Sequence, residues 1–394
     1  MIRVHGTGCA LVDSLYDSVD FQGHEFKKWM SQREGDGGLF PGGLVFANAL
    51  SNFAQTPYPA ILASLCQGKA PKSTNIGGPG IVPLIHAQQV RGDAPIQYRF
   101  SGALGRDVHG VAFRQLLAEA RFSDEGFCST SQPTPCTDVL SDPLYDDQQG
   151  ERTFINTIGA AGEFGPQSLP EDFFQANILV FGGTALVPPL HDSLQELCRR
   201  GREQGAFVLV NTVYDFRNES LSPGMPWPLV EDYSCIDLLI MDKEEACKIS
   251  GLHQPEFALD YFIHQGCGAV IITQGADAVL FSSGNSMHFA PCSLSVLPTC
   301  HAASDAVSKM THPRDTTGCG DNFVGGVIDS LAKQMLKDSP IHLEMAVKEG
   351  VIAGGLALSI LGGVCYEEHP GEKAKALKSL GEAYQKQCQQ ENQG

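Results

Sequence analysis

Ile178-Leu179-Val180-Phe181 is an unbroken apolar run closed by Gly182-Gly183, and an amphipathic stretch from about His191 to Arg202 follows it. Gly205 then introduces Phe207-Val208-Leu209-Val210. Two more runs, Ile236-Asp237-Leu238-Leu239-Ile240-Met241 and Ala269-Val270-Ile271-Ile272-Thr273, are separated by a charged helix start at Asp242-Lys243-Glu244-Glu245 and a helical stretch near Phe257 to His264. A strand that is apolar at almost every position has both faces covered. Alternating with helices, such runs are the parallel strands of βαβ units. In series they predict an α/β fold: a doubly wound, mostly parallel sheet flanked by helices.

Outward from this core the rhythm breaks twice. Segments of about 14–40 and 135–160 read as extended, turn-rich polar strands, with Thr137-Asp138-Val139-Leu140 and Arg152-Thr153-Phe154-Ile155 flanking an acidic loop. They predict a small β-sheet lid on a single domain spanning 1–394. Residues of about 66–96, rich in Gly, Pro and Gln, read as a long loop insertion, and about 285–312 as a second one.

The chain carries 27 Lys+Arg against 45 Asp+Glu, a net charge of −18 over 394 residues. That excludes a polyanion-binding face, so neither nucleic acid nor an anionic membrane is an expected partner. It leaves a small phosphate ligand open, because backbone amides and a metal can hold one regardless of net charge. An apolar fraction of 42% excludes wholesale disorder. The 13 cysteines contain no C-x-x-C pair. Metal site, disulfide framework and buried thiols compete, and buried thiols are the expectation. The start Met1-Ile2-Arg3-Val4-His5-Gly6 lacks an apolar signal core, and the stretch Gly350 to Tyr366 falls short of the ~18 apolar residues of a membrane span. A cytoplasmic protein is expected.

The chemistry concentrates in Asp315-Thr316-Thr317-Gly318-Cys319-Gly320-Asp321. After it, Phe323, Val324, Val327, Ile328, Leu331 and Met335 recur at helical spacing, so Gly318 to Gly320 form the turn that enters a helix. Such a turn offers backbone N–H groups at the positive end of a helix dipole, which is an anion site. Asp321 beside it is either the proton acceptor for a hydroxyl nucleophile or a first-turn acid complementing the dipole.

This heptad resembles the D-T-x-G-A-G-D signature of the ribokinase-like (PfkB) family of carbohydrate and nucleoside kinases. Gly6-Thr7-Gly8-Cys9-Ala10-Leu11-Val12-Asp13 resembles the family's first strand and substrate-binding aspartate, notably in its adenosine-kinase-like branch. Pro41-Gly42-Gly43 with Asn48, Gly102-Ala103-Leu104-Gly105-Arg106-Asp107-Val108-His109-Gly110, Gly150-Glu151-Arg152-Thr153, Asp242-Lys243-Glu244-Glu245 and Thr273-Gln274-Gly275 resemble further family motifs. The matches come in family order from residue 6 to about 363.

The resemblance implies a cytoplasmic ATP-dependent phosphotransferase with a small-molecule sugar or nucleoside as acceptor. Gly318, Cys319 and Gly320 would hold the γ-phosphate, and Asp321 would take the acceptor's proton. Asp13, Gly42, Gly43 and Asn48 would bind the acceptor, Thr273, Gly275 and Thr317 would contact ATP, and Asp242 with Glu245 would place Mg²⁺ through waters. A monovalent cation is implied as an optional cofactor. Monomer and homodimer both stay open, since lid edges can pair. The apolar helix expected from about Leu343 to Leu361 would border the adenine. No G-x-x-x-x-G-K-[ST] loop is present, and no G-x-G-x-x-G follows the first strand, which disfavours an NAD enzyme.

Three features depart from the family pattern. Asp242 stands where Asn is usual, Asn48 comes one residue late after the glycine pair, and Cys319 replaces Ala. The alternative to a kinase is a non-catalytic ligand-binding or regulatory relative that kept the fold. A thiol at a helix N-terminus is prone to ionise and oxidise. Alkylating Cys319 is therefore expected to slow turnover, with ATP protecting; equal inactivation of the Cys319→Ala protein would show that another thiol is responsible.

Overall fold

The computed structural model describes residues 1–33, 35–148, 150–284, 286–308, 316–337 and 339–391. Asp315 of the glycine-turn motif, and residues 285 and 309–312 of the second expected insertion, lie outside them. The strands in chain order are β1 (Ile2–Gly8), β2 (Leu11–Tyr16), β3 (Leu44–Phe46), β4 (Ser73–Gly77), β5 (Ile96–Gly105), β6 (Phe127–Thr130) and β7 (Cys136–Asp142). They continue with β8 (Glu151–Thr157), β9 (Ile178–Gly182), β10 (Phe207–Asn211), β11 (Leu238–Asp242), β12 (Ala269–Thr273), β13 (Val279–Ser283) and β14 (Cys292–Leu297).

Nine strands form the main sheet in the order β14-β13-β12-β11-β10-β9-β1-β5-β6. From β12 to β6 every pairing is parallel; β13 and β14 are added antiparallel at one edge. The continuous apolar runs now have a direct explanation. Ile178 and Val180 of β9 and Phe207 and Leu209 of β10 point into one hydrophobic cluster. Their neighbours Leu179, Phe181, Val208 and Val210 point into another. Helices Val82–Val90, Val108–Glu119, Cys319–Met335 and Leu343–Ala357 cover the first face; Leu194–Glu203, Lys243–Ser250 and Pro255–His264 cover the second. Full burial of each such Leu, Ile or Phe contributes about 1.5–3 kcal/mol, so the two faces together supply most of the driving force.

A second sheet of five strands, in the order β3-β8-β7-β2-β4, stands beside the first over its own cluster, which includes Phe26, Trp29, Leu50, Leu140 and Ile155. The expected polar strands at 135–160 are β7 and β8, paired antiparallel. Among the described residues of the 14–40 segment, the end of β2 is the one named strand; the others form turns, the short helix His24–Lys28 and an isolated bridge between Met30 and Leu39.

Three expectations need correction. Residues 66–96 are not a loop: they contain β4 and the helix Val82–Val90. Gly77-Gly78-Pro79-Gly80 is the turn between them, and Pro83 in the first helical turn leaves no ladder bond unmade. Within 285–312, the described residues contain strand β14 and the helix His301–Ser308 rather than irregular chain. The helix expected to reach Leu361 ends at Ala357. All 13 cysteines are free thiols, and Cys128 alone is exposed. No helix among the described residues is long and apolar enough to cross a membrane.

Candidate active site

The strand order reverses between β1 and β9: the chain builds outward through β5 and β6, then returns to β9 and proceeds the other way. In open α/β sheets the ligand crevice lies outside the carboxyl ends of the strands at such a reversal. A cavity of about 350 Å³ lies there. Asn211, Asp242 and Thr273, the last residues of β10, β11 and β12, line it from the main sheet. Asp13, Thr137, Phe154 and Asn156 line it from the small sheet, and Thr317, Gly320 and Asp321 from the glycine turn.

The cavity therefore brings together Asp13, Asp242, Glu245, Thr273, Thr317, Gly320 and Asp321. Gly275 opens instead onto an adjoining hollow of about 660 Å³ that shares Asp242 and Thr273 with it. Gly42 and Gly43 enter β3: the Gly42 amide donates to Arg152 O at 2.7 Å, and Gly43 O accepts from the Phe154 amide at 2.9 Å. They do not line the cavity, whereas the next residue, Leu44, does. Asn48 is exposed on the helix Ala47–Ala54, its Oδ1 accepting from the Ala49 amide at 2.9 Å. The extra residue before it turns it about 100° around the helix, out of the site.

Asp13 sits on β2, which pairs antiparallel with β4, Asp13 opposite Asn75 and Leu11 opposite Gly77. Its carboxylate fills the space a Cβ on Gly77 would need, so the missing side chain of Gly77 is the carboxylate's seat. The Cys9 thiol is pushed up by burial first and then by the charges of Asp321 and Asp13, a sign that both carboxylates lie close to it.

Gly318 caps the helix Cys319–Met335 in left-handed backbone, φ 76°, where a Cβ would stand 2.6 Å from the Gly363 Cα. Only glycine satisfies both demands. The Cys319 amide donates to Thr316 O at 3.2 Å and so is already engaged. Among the described residues no acceptor meets the amides of Gly320 and Asp321, and a Cβ on Gly320 would face open space. The open amides are thus those of Gly320 and Asp321, one residue further along than the Gly318-Cys319-Gly320 turn. Asp321 is half-buried, its carboxyl receives no hydrogen bond among the described residues, and burial pushes its pKa up to about 7. An acid that merely complemented the dipole would sit in water and stay low.

Asp242 and Glu245 form a capping box at the start of the helix Lys243–Ser250. Asp242 Oδ1 accepts from the Glu245 amide at 2.8 Å, and Glu245 Oε2 accepts from the Asp242 amide at 3.1 Å and the Thr212 hydroxyl at 2.6 Å. Burial, then the Asp242 charge, pushes Glu245 up to about 8. Two carboxylates raised in this way favour a nearby cation. Among the described residues no cluster of three or more His, Cys, Asp or Glu forms a cage. The donor set would fit Mg²⁺ held through retained waters, and the open amides at Gly320 would fit a phosphoryl group.

Sequence reasoning quoted Arg152 within a motif without giving it a role, and missed Asn211. Arg152 on β8, half-buried, donates from Nη1 to Thr317 Oγ1 at 2.9 Å and so ties the small sheet to the glycine turn. Asn211 lines the cavity with its Nδ2 donating to Pro79 O at 2.8 Å and its buried Oδ1 without a partner among the described residues. Nothing in the sequence distinguishes it from any strand-end asparagine.

A family model described as pfkB family carbohydrate kinase matches residues 73–363. The chain is similar to the aminoimidazole riboside kinase of Salmonella typhimurium, 27% identical over 286 residues that make up 71% of this chain and 82% of that one. Its fold is similar to adenosine kinase from Schistosoma mansoni in complex with 2-fluoroadenosine, at a TM-score of 0.65 and 16% identity, covering 92% of this chain and 97% of that one. It is also similar to ribokinase from Thermotoga maritima, at a TM-score of 0.59 and 14% identity, covering 96% and 99%.

Proposed function

Because the chain belongs to the pfkB family of carbohydrate kinases, we propose that it moves the γ-phosphoryl group of ATP to a hydroxyl of a ribosyl-bearing sugar or nucleoside. The reading rests on one observation above all: Asp321 offers an unbonded carboxyl, raised by burial to about 7, beside open amides at a helix N-terminus. A base poised near neutral pH and an anion site a residue away are the two parts that phosphoryl transfer to an alcohol requires.

Asp321 holds the acceptor hydroxyl and takes its proton as the bond to phosphorus develops, because an alcohol is too weak an acid to ionise first. The amides of Gly320 and Asp321, at the positive end of the helix, face the charge on the transferring group. Arg152 brings a guanidinium to the same turn from the small sheet. Asp242 and Glu245 would hold Mg²⁺ through waters, and the ion would supply positive charge toward the phosphates. Most of the rate enhancement is positioning, since the transition state is loose.

The acceptor class is supported by what the relatives share, an aminoimidazole riboside, adenosine and ribose all carrying a ribosyl group. Asp13 suits a pair of vicinal hydroxyls, and Leu11, Leu44, Phe154, Leu186 and Val213 give the cavity apolar walls against which a flat base can lie.

A coupled ADP-release screen over free sugars, polyols and nucleosides tests this reading. Acceptor-dependent turnover is expected for ribosyl compounds, lowered by Asp321→Asn at least about 10²-fold; no turnover across the panel would favour the non-catalytic alternative. The pH profile follows from the sign of the shift. The carboxylate is the active form and exists above its pKa. The kcat/KM should therefore fall about tenfold per unit below roughly pH 7 and level off above it. A profile flat from about pH 5.5 to about 8.5 would remove Asp321 as the base. Gly77→Ala should displace Asp13 and lower kcat/KM for the acceptor by about 10- to 100-fold while the KM for ATP holds; an unchanged acceptor KM would mean that Asp13 does not grip it.

A further inference from the structure

Behind the glycine turn, on the side away from the cavity, four elements converge on one fully buried side chain. Asn322 directly follows Asp321, and its Nδ2 donates to Gly318 O at 2.8 Å and to Gly363 O at 2.9 Å. Its Oδ1 accepts from Lys373 Nζ at 3.0 Å and lies 2.8 Å from His86 Nδ1. A lysine only donates, so the carboxamide has one possible orientation, and His86 presents Nδ1–H to it. Lys373 arrives from the far end of the chain, on the helix Glu372–Glu391, and also donates to Gln89 Oε1 at 2.9 Å.

Lys373 is 3% exposed. Among the described residues no carboxylate touches this ammonium, and the negative charge nearest in effect, that of Glu367, acts on it without a contact. The nearby Glu367 carboxylate accepts Lys373's own backbone N–H at 2.8 Å and lies 3.6 Å from the Arg121 guanidinium. His86 is held neutral by burial, and burial also raises the Cys365 thiol. Desolvation pushes Lys373 down only to about 8, so it remains an ammonium at neutral pH. An unpaired buried cation is costly to keep, and a mere helix tie would be served as well by a neutral donor.

The path from this charge leads to the anion site. Lys373 polarises the Asn322 carboxamide, which donates to the Gly318 carbonyl, and the Asn322 backbone amide donates to the same carbonyl at 2.9 Å. Chains of buried hydrogen bonds strengthen one another. Gly318 begins the turn that aims the Gly320 and Asp321 amides. We propose that Lys373 is a positioning residue of phosphoryl transfer: acting through Asn322, its ammonium sets the anion turn and supplies positive charge behind it, and its counter-charge is the phosphoryl group of the bound nucleotide. The proposal rests on the reading of the Gly318–Asp321 turn as the γ-phosphate site.

The test compares the full-length protein with Lys373→Met, an unbranched neutral side chain of similar reach, and Lys373→Arg, which keeps the charge. Thermal unfolding is recorded with and without MgATP, and kcat and KM are measured for both substrates. The Met variant should unfold without ligand at or above the parent temperature, since an uncompensated charge is gone. Its MgATP-induced upshift should shrink and its kcat fall about tenfold or more with the acceptor KM unchanged; Arg should restore most of both. A Met variant that is less stable without ligand but keeps the parent's MgATP upshift and kcat would overturn the proposal, leaving Lys373 a structural tie. Should the Met variant fail to fold, Lys373→Gln takes its place, and a kcat equal to that of the Arg variant has the same overturning force. If the parent itself shows no MgATP upshift, the γ-phosphate reading fails first, and this one with it.

Discussion

The glycine turn and the loop after the helix Leu343–Ala357 can approach as closely as they do only because glycines face each other. Gly318 in left-handed backbone stands against Gly363, whose own Cβ would press on Ile76 O at 3.0 Å. Asn75 of β4 fixes the loop from the other side, its Nδ2 donating to Leu361 O at 2.9 Å and Val364 O at 3.2 Å. Asn75 is also paired across the sheet with Asp13. Asp13, the loop and the Gly318 turn are thus one connected object, and a side chain at Gly318 would push them apart.

A similar economy holds at the end of β11. The Asp242 and Glu245 pair closes a helix N-terminus with reciprocal bonds, a purely structural service. The same geometry sets the buried Glu245 carboxyl beside the exposed Asp242 at the cavity wall, where burial and the Asp242 charge push Glu245 up. The cap explains why an aspartate is tolerated where the family usually has asparagine: either side chain accepts the Glu245 amide.

The main sheet was readable in the sequence because its strands are buried on both faces, so the runs at 178–181, 207–210 and 269–273 announce themselves without any partner being known. Asp13, Asp242, Glu245, Thr273, Thr317, Gly320 and Asp321 were legible through motif order, and they share one cavity. What failed was local punctuation. Gly77-Gly78-Pro79-Gly80 looks like loop when it is a turn inside a strand–helix unit, and Asn48 looked like a site residue until helical phase carried it to the surface. The contacts of Arg152, Asn211 and Lys373 could not be read for a different reason: each is made with a partner more than 50 residues away, Thr317, Pro79 and Asn322.

The two sheets are joined at one point by very little chain. β1 ends at Gly8 and β2 begins at Leu11. Cys9 between them is clamped on both sides, its amide donating to Gly182 O at 2.8 Å and its carbonyl accepting from the Gly80 amide at 2.9 Å. Asp13, four residues on in β2, is thereby held close to the main sheet, while β8 at the other side of the small sheet reaches back to the glycine turn through Arg152. The place of the Asp13 carboxylate is in this sense built into the frame.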